Sequence, residues 1–309
     1  MTSKREQLAS MTTLVADTGD LAAIRATRPQ DATTNPSLML AVANSPEAAG
    51  YWQAARELVP AQADAAQWMD AFGVVTGREI LAAVPGYVST EVDARLSFDT
   101  VATLNRARQI VALYRRAGVD ASRVLIKIAA TWEGIQAARI LETEGIKTNL
   151  TLVFGLPQAL AAADAGAFLI SPFVGRIYDW YKKLGQAVDS PQTDPGVLSV
   201  KAIHQALKAR GSQTIIMGAS FRHAWQVEAL AGCDRLTVSP ALLSALEQDQ
   251  GALPRALLSV PVSEAPQVLA ETDFRWQLNA DVMAESLLAD GIRRFAQDQL
   301  AMEQQVPGR

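Results

Sequence analysis

The sequence predicts an α/β protein whose strands form a (β/α)8 TIM barrel, with additional helices, especially towards the C-terminus. Two observations favour this fold class. Eight short apolar segments alternate with helical segments, and a length of 309 residues suits a barrel that carries extra elements. A doubly wound open sheet is the alternative, but no glycine-rich turn follows the first strand. We therefore expect residues 1–309 to form one barrel domain with a helical extension from about residue 240.

Each predicted strand is a short run of apolar and β-branched residues. The eight strands are expected at residues 13–17, 31–34, 88–92, 124–130, 147–153, 167–171, 214–218 and 235–239. The fourth reads Val-Leu-Ile-Lys-Ile-Ala-Ala, which is typical of a strand buried on both faces. Such strands belong to parallel sheets covered by helices, as the barrel requires.

Capping residues and apolar spacing indicate the helices between these strands. Asp20 is predicted to cap a helix at 21–24, and Asn35 followed by Pro36 matches an N-cap with proline at the first helical position. Helical sequence then continues to about Val84. Further helices are expected at 99–117, 131–144, 157–165 and 200–209, and from Pro240 onward, before a loose tail at 304–309. An insertion after the sixth strand contains Tyr178, Trp180 and Tyr181, then a loop with Pro191 and Pro195.

Composition and charge exclude several classes of protein. The formal net charge of −4 argues against a nucleic-acid or anionic-membrane surface, and no run of about 18 apolar residues is present to span a membrane. The single cysteine, Cys233, allows no intrachain disulfide, and the polar N-terminus does not resemble a secretory signal. His204, His223 and Cys233 lack the spacing of a metal site. We expect a cytoplasmic protein with no metal site, no nucleic-acid partner and no membrane partner.

Lys127 stands in the middle of the apolar fourth strand. Lysine is rarely buried without a partner, so a surface lysine at the edge of the sheet is the plain alternative. The apolar residues on both sides of this lysine favour a functional amine instead. Burial in an apolar pocket lowers the pKa of an amine, and a neutral amine attacks a ketone to form a Schiff base. The sequence therefore predicts a nucleophile at this position.

Polar residues collect where the predicted strands end, which is where (β/α)8 barrels carry their active sites. These residues are Asp17, Asn35, Glu91, Lys127, Asn149, Thr151, Ser171, Arg176, Ser220 and Arg222. Each has a plain alternative: Asn35 is explained as a helix cap, Glu91 as a partner of Arg95, and the arginines as surface residues. Their joint placement around one lysine favours a site. An amine, a carboxylate, and hydroxyl and amide groups suit a Schiff-base reaction on a polyol, and two arginines suit a phosphate.

Seven stretches of the chain resemble the transaldolase family. They are VADTGD at 15–20, DATTNPS at 31–37, STEVDARLS at 89–97, LIK at 125–127, NLTL at 149–152, ISPFVGR at 170–176 and MGASFR at 217–222. The likeness runs from Thr12 to about Asp298, and the DATTNPS and SPFVGR runs are its most specific motifs. Residues 183–195 match poorly. Gly155 and His223 also depart from the family pattern.

The resemblance implies a reaction that needs neither a metal nor an organic cofactor. Transaldolases of the pentose phosphate pathway move a dihydroxyacetone unit from sedoheptulose 7-phosphate or fructose 6-phosphate to glyceraldehyde 3-phosphate or erythrose 4-phosphate. By resemblance, Lys127 forms the Schiff base and Asp17 takes the proton from the C4 hydroxyl of the donor. Glu91, with Thr151, orients a water during Schiff-base formation. The remaining residues bind sugar hydroxyls (Asn35, Asn149 and Ser171) or phosphate (Arg176, Arg222 and Ser220).

Two other functions stay open at the level of the sequence. A fructose 6-phosphate aldolase on the same scaffold is the nearer one, although such relatives tend to carry glutamine at the position of Glu91 and tyrosine at that of Phe173. A non-catalytic sugar-phosphate-binding barrel is the other, and it has no need for the amine of Lys127. The resemblance also implies a possible homodimer, which the C-terminal helices could support.

Overall fold

Eight parallel strands close into a barrel in chain order, and the last strand pairs with the first. The computed structural model describes residues 2–265 and 268–307. The strands are β1 (Thr13–Asp17), β2 (Asp31–Thr33), β3 (Val88–Glu91), β4 (Val124–Ala129), β5 (Thr148–Val153), β6 (Leu169–Pro172), β7 (Ile215–Gly218) and β8 (Arg235–Val238). The (β/α)8 barrel predicted from the sequence is confirmed.

Fourteen α-helices accompany the strands in the described part of the chain. They are α1 (Lys4–Ala9), α2 (Leu21–Thr27), α3 (Pro36–Ala43), α4 (Ala48–Leu58), α5 (Ala65–Ala83), α6 (Thr100–Arg116), α7 (Trp132–Thr143), α8 (Leu156–Asp164), α9 (Gly175–Lys183), α10 (Pro195–Ala209), α11 (Ala224–Glu228), α12 (Pro240–Gln248), α13 (Glu271–Ala280) and α14 (Val282–Glu303). Short 3-10 turns cover Ala94–Leu96 and Ala121–Arg123. The predicted caps are present, since Asp20 caps α2 and Asn35 caps α3.

Alternation along the strands separates an outer core from the interior of the barrel. Along β4, Ile126 and Ile128 belong to the large apolar cluster shared with the helices, whereas Leu125 packs inside the barrel. The interior cluster of Leu125 also contains Val15, Leu169 and Met217. Lys127 follows Leu125 by two residues, so it points into the barrel one layer nearer to the C-terminal mouth.

Two predictions about the C-terminal part are wrong. The chain is not helical throughout after Pro240, because residues 249–265 and 268–270 are irregular between α12 and α13. Pro254 and Pro261 lie there and cannot donate the backbone hydrogen bonds of a helix. Residues 304–307 are not loose, because Val306 is buried. Residues 308 and 309 lie outside the described residues.

Helix boundaries also differ from the prediction, since α2 extends to Thr27 rather than residue 24, and the differences are largest in two places. The long helical stretch before Val84 is three helices, because residues 44–47 and 59–64 break it. The helix expected from residue 200 starts earlier, at Pro195. The Asp194 side chain accepts hydrogen bonds from the backbone at that end, and proline is favoured in the first turn of a helix.

Helix α14 crosses the C-terminal mouth of the barrel. Its apolar side chains form one cluster with residues at the ends of β5 and β6. These side chains are Met283, Leu287, Leu288, Ile292 and Phe295. The C-terminal extension is therefore packed over the barrel, and it covers the rim on which the predicted site residues lie.

Candidate active site

Lys127 belongs to a polar row that crosses three neighbouring strands. The register places Glu91 of β3 beside Lys127 of β4, and Lys127 beside Asn149 of β5. Lys127 is 4% exposed, so its charged form has to be stabilised by partners. Its Nζ lies 3.1 Å from Glu91 Oε2 and donates a hydrogen bond of 3.0 Å to the carbonyl oxygen of Thr34. Glu91 therefore pairs with the lysine, and Arg95 pairs instead with Asp93.

Two carboxyl groups near this amine have raised pKa values. Burial is the main cause for Asp17, and the positive charges of Lys127, Arg176 and Arg222 oppose it. Burial also raises the pKa of Glu91, against the charge and hydrogen bond of Lys127. A carboxylate with a raised pKa is a better proton acceptor, so both groups are suited to accept and donate protons during a reaction.

Amide and hydroxyl groups lie along the neighbouring strands. The Oδ1 atom of Asn149 accepts a hydrogen bond of 2.7 Å from Ser171, and its Nδ2 donates one of 3.0 Å to Ser89. Asn35 accepts a capping bond from the backbone of α3 and also lines the cavity, so it is more than a helix cap. The hydroxyl of Thr151 is buried without a partner. A buried hydroxyl without a partner is available to a water or a substrate.

Two arginines lie beside the cavity, Arg176 in the first turn of α9 and Arg222 in the loop after β7. Arg176 stacks over the rings of Phe173 and Phe295, at 5.2 and 5.4 Å from the ring centroids. Its Nη1 is buried without a hydrogen-bond partner, and burial lowers the pKa of the guanidinium. Arg222 is more exposed, pairs with Asp179 at 2.8 Å, and donates from Nη1 to Ser220 Oγ at 3.3 Å. Arg176 is therefore not an ordinary surface arginine, whereas Arg222 is exposed and approaches the cavity through Ser220. Two guanidinium groups on one side of a cavity can bind an anion.

A cavity of about 80 Å³ joins these groups. Eight of the eleven predicted site residues line it: Asp17, Asn35, Lys127, Thr151, Ser171, Phe173, Arg176 and Ser220. The other three are tied to the lining, since Glu91 contacts Lys127, Asn149 contacts Ser171 and Arg222 contacts Ser220. The structure therefore brings the whole predicted set to one rim of the barrel.

The lining also contains residues that the sequence did not indicate as part of a site. Thr33, Met217, Ala219 and Thr237 come from strand ends that were predicted correctly. Phe295 comes from α14, where its spacing indicated only an apolar helix face. No local pattern connects Phe295 with Lys127, because only the packing of α14 over the barrel brings them together.

A glycine in α14 permits this close packing. A Cβ atom on Gly291 would lie 2.7 Å from Leu152 Cδ2 and 3.1 Å from Arg176 Nη1. We expect Gly291→Ala to lower the free energy of unfolding by about 1–3 kcal/mol, the usual range for overpacking. Because Arg176 is displaced, KM for a phosphorylated donor should also rise. Denaturant unfolding and steady-state kinetics measure the two effects.

Gly50→Ala is the matched control, because a Cβ on the exposed helical Gly50 meets nothing within 4 Å. This change should stabilise the protein by up to about 1 kcal/mol through helix propensity alone. If Gly291→Ala is equally stabilising and leaves KM unchanged, α14 does not depend on a glycine there.

Within the described residues, no group of three or more His, Cys, Asp or Glu side chains is placed to hold a metal ion. No helix in residues 2–265 and 268–307 is long and apolar enough to cross a membrane. Cys233 is buried, and burial raises the pKa of its thiol to about 12, so it does not behave as a reactive thiolate.

The fold and the site together define a class: a (β/α)8 barrel enzyme with a lysine amine, two carboxyl groups and an anion pocket at its C-terminal mouth. The family model described as transaldolase/fructose-6-phosphate aldolase matches residues 14–306. A transaldolase of Marinomonas sp. (strain MWYL1) is 54% identical, with 98% of each chain covered. A transaldolase of Marinobacter nauticus is also 54% identical, over 99% of this chain and 98% of its own. The chain belongs to the transaldolase/fructose-6-phosphate aldolase family.

Proposed function

We propose that this enzyme acts as a transaldolase through a Schiff base on Lys127. It transfers a dihydroxyacetone unit from sedoheptulose 7-phosphate or fructose 6-phosphate to glyceraldehyde 3-phosphate or erythrose 4-phosphate. Membership of the family and two full-length relatives named transaldolase support the transfer activity. The observation that carries the mechanism is the buried Lys127 amine at 3.1 Å from the Glu91 carboxylate, beside a cavity that Asp17 also lines.

The first steps join the donor to the enzyme. The neutral amine of Lys127 attacks the C2 carbonyl of the donor, and loss of water from the carbinolamine gives a protonated Schiff base. Glu91 accepts the proton that the ammonium must lose and returns protons to the departing oxygen. Thr151 has a free buried hydroxyl with which to hold the water that relays them. Glu91, which accepts and returns the protons, is thus a direct neighbour of the nucleophile Lys127.

Asp17 takes part in the carbon–carbon step. Its carboxylate removes the proton from the C4 hydroxyl, the C3–C4 bond breaks, and the electron pair moves into the iminium to give an enamine. The aldehyde product leaves, and the enamine carbon attacks the carbonyl carbon of the acceptor. Asp17 then returns its proton to the new C4 oxygen, and water releases the product from Lys127.

The remaining polar groups hold the substrate. Asn35, Asn149 and Ser171 bind the hydroxyls of the retained three-carbon unit. Arg176 and Arg222 bind the phosphate, with the Ser220 hydroxyl beside Arg222. Each charge-assisted hydrogen bond of this kind contributes about 1.5–3 kcal/mol, so the phosphate provides much of the binding energy.

Transfer is favoured over free aldol cleavage, because the enamine is held until an acceptor arrives. The cavity wall next to Arg176 includes the rings of Phe173 and Phe295, which offer no hydrogen-bonding group to a water. Phe173 and Glu91 are also the residues by which the resemblance separates transferases from aldolases.

A transfer assay tests the proposal. Fructose 6-phosphate with erythrose 4-phosphate should give sedoheptulose 7-phosphate, and omission of the acceptor should leave less than a few per cent of that rate as free dihydroxyacetone. Equal release of dihydroxyacetone without an acceptor would identify an aldolase. Binding of the donor without either product would identify a non-catalytic barrel.

We also propose that the enzyme works in the cytoplasm, within the pentose phosphate pathway, as a homodimer. The single buried thiol is compatible with a reducing compartment. Trp276 and Val282 on the C-terminal helices are 72% and 65% exposed, which offers an apolar surface to a second copy. Size-exclusion chromatography with light scattering should give a molar mass twice that of one chain. A monomer at micromolar concentration would contradict the dimer.

A further inference from the structure

Two fully buried glutamines occupy equivalent places after two strands of the barrel. Gln158 follows β5 and Gln226 follows β7, and each is the third residue of the next helix. Both are 0% exposed. A buried side-chain amide needs hydrogen-bond partners for its donors and acceptors. Its partners therefore show which backbone segments it holds in place.

Gln226 holds the loop that carries Arg222. Its Oε1 accepts hydrogen bonds from the backbone N–H of Arg222 at 2.7 Å and of His223 at 3.1 Å. Its Nε2 donates a bond of 2.6 Å to Oδ2 of Asp194, which is also fully buried. We name Gln226 with its three bonds the β7 clamp.

The loop held by the β7 clamp is joined to the β6 end as well. The N–H of Gly175 donates to the carbonyl oxygen of Ser220 at 2.5 Å, directly before Arg176 in the chain. Ser220 has a φ of 61°, a left-handed conformation that a residue with a side chain keeps only when its surroundings impose it. The Gly175–Ser220 bond therefore joins the segments that carry Arg176 and Arg222. Gln226 holds the backbone on the Arg222 side of this pair.

Gln158 holds a different part of the rim. Its Oε1 accepts from the N–H groups of Phe154 at 2.8 Å and Gly155 at 3.1 Å. Its Nε2 donates at 3.0 Å to the carbonyl oxygens of both Ala130 and Leu152. We name Gln158 with these four bonds the β5 clamp. It joins the ends of β4 and β5, which carry Lys127 and Thr151.

The β5 clamp also lies at a strained residue. Leu152 has a φ of 56°, and the pairing of β5 with β6 shifts register between Leu150 and Val153. Thr151 lies inside this irregular segment, and its hydroxyl faces the cavity without a partner. The direction of that hydroxyl therefore depends on how the backbone of Leu152 is held.

We propose that the two clamps are positioning elements with separate tasks: Gln226 sets the phosphate-binding geometry through Arg222, and Gln158 sets the proton-transfer geometry through Thr151. This inference rests on the proposed function of the site. It predicts that the same substitution at the two glutamines changes different kinetic constants, although both positions are equally buried.

The test compares Gln226→Met with Gln158→Met. Methionine keeps the length of the side chain and removes every hydrogen bond of the clamp. For Gln226→Met, we expect the inhibition constant of inorganic phosphate and KM for fructose 6-phosphate to rise about tenfold, as for one weakened charge-assisted bond. Its kcat should stay within about threefold, since the chemical groups keep their places.

Gln158→Met should show the reverse pattern. Its kcat should fall about tenfold to a hundredfold, because misplaced proton-transfer groups cost that much. The inhibition constant of inorganic phosphate should stay unchanged. The rate at which borohydride with phosphate-free dihydroxyacetone inactivates the enzyme should fall for Gln158→Met alone, because this reaction needs Schiff-base formation and no phosphate pocket.

Each outcome decides the proposal. If both variants change the same kinetic constant, or change all constants equally, the glutamines only stabilise the barrel. That result would overturn the proposal. If Gln226→Met does not fold, Asp194→Asn can be used, because it weakens the bond that Gln226 donates to Asp194. This variant should raise the phosphate inhibition constant by a smaller factor. No change in that constant would also overturn the proposal. Inactivity of the unmodified enzyme in the transfer assay would instead contradict the proposed function.

Discussion

Lys127→Met is expected to reduce dihydroxyacetone transfer by roughly four orders of magnitude or more, because the covalent route is lost with the amine. Methionine fills much of the space of the lysine stem, and it leaves Glu91 without its partner at 3.1 Å. The loss should appear in kcat, since the anion pocket around Arg176 and Arg222 does not involve the substituted residue. The measurement is the transfer rate at saturating donor.

Borohydride reduction shows whether the amine is the nucleophile. The unmodified enzyme with fructose 6-phosphate should give a three-carbon adduct on the peptide that contains Lys127, detected by mass spectrometry. Lys147→Met is the matched control, because Lys147 precedes β5 at the opposite end of the barrel and bonds to the hydroxyl of Tyr87 at 3.0 Å. That variant should keep its activity and its adduct. An active Lys127→Met variant would exclude the Schiff-base mechanism.

Asp17→Asn should stop the reaction after the Schiff base has formed. Asparagine cannot accept the proton of the C4 hydroxyl, so cleavage should slow by about 10²–10⁴-fold, the usual contribution of a general base. Borohydride should then trap the intact six-carbon donor on Lys127 in place of the three-carbon unit. The mass of the adduct separates loss of cleavage from loss of Schiff-base formation.

The control for this variant is Asp20→Asn. Asp20 lies three residues after Asp17, beyond the end of β1, where it is exposed and caps α2, and asparagine is also a good cap. It should leave transfer unchanged. A three-carbon adduct on the Asp17→Asn enzyme, formed at the normal rate, would assign the proton transfer to another group.

The pH dependence of cleavage follows from the same carboxylate. Burial raises the pKa of Asp17, and the base is active only when ionised. The rate should therefore fall as the pH drops through this raised value, at a higher pH than for an exposed aspartate.

The central part of the site was predictable from local sequence. An apolar strand with one lysine predicts an inward amine, and the parallel barrel requires that strand ends share one rim, so Asp17, Glu91 and Thr151 were expected near Lys127. These predictions depend on the alternation of side chains along a strand and on the order of the strands along the chain. Both can be read from a single sequence.

Other parts were beyond the reach of such patterns. Phe295 reaches the cavity only because α14 folds back over the barrel, and an apolar helix face does not state what it will cover. Gln158 and Gln226 look like ordinary polar residues at the start of a helix, and only their burial and hydrogen bonds distinguish them. The irregular segment after α12 was missed, because its apolar residues resemble helical sequence when Pro254 and Pro261 are given too little weight.

The order of elements along the chain has a consequence for biosynthesis. During translation, β1 has to wait for β8 before the barrel closes, and the mouth stays uncovered until α14 has also left the ribosome. A nascent chain therefore exposes the apolar ends of β5 and β6 until α14 is made, and exposed apolar surface of this kind favours aggregation. The site on which the proposed function depends is therefore complete only after α14 has packed over the mouth of the barrel.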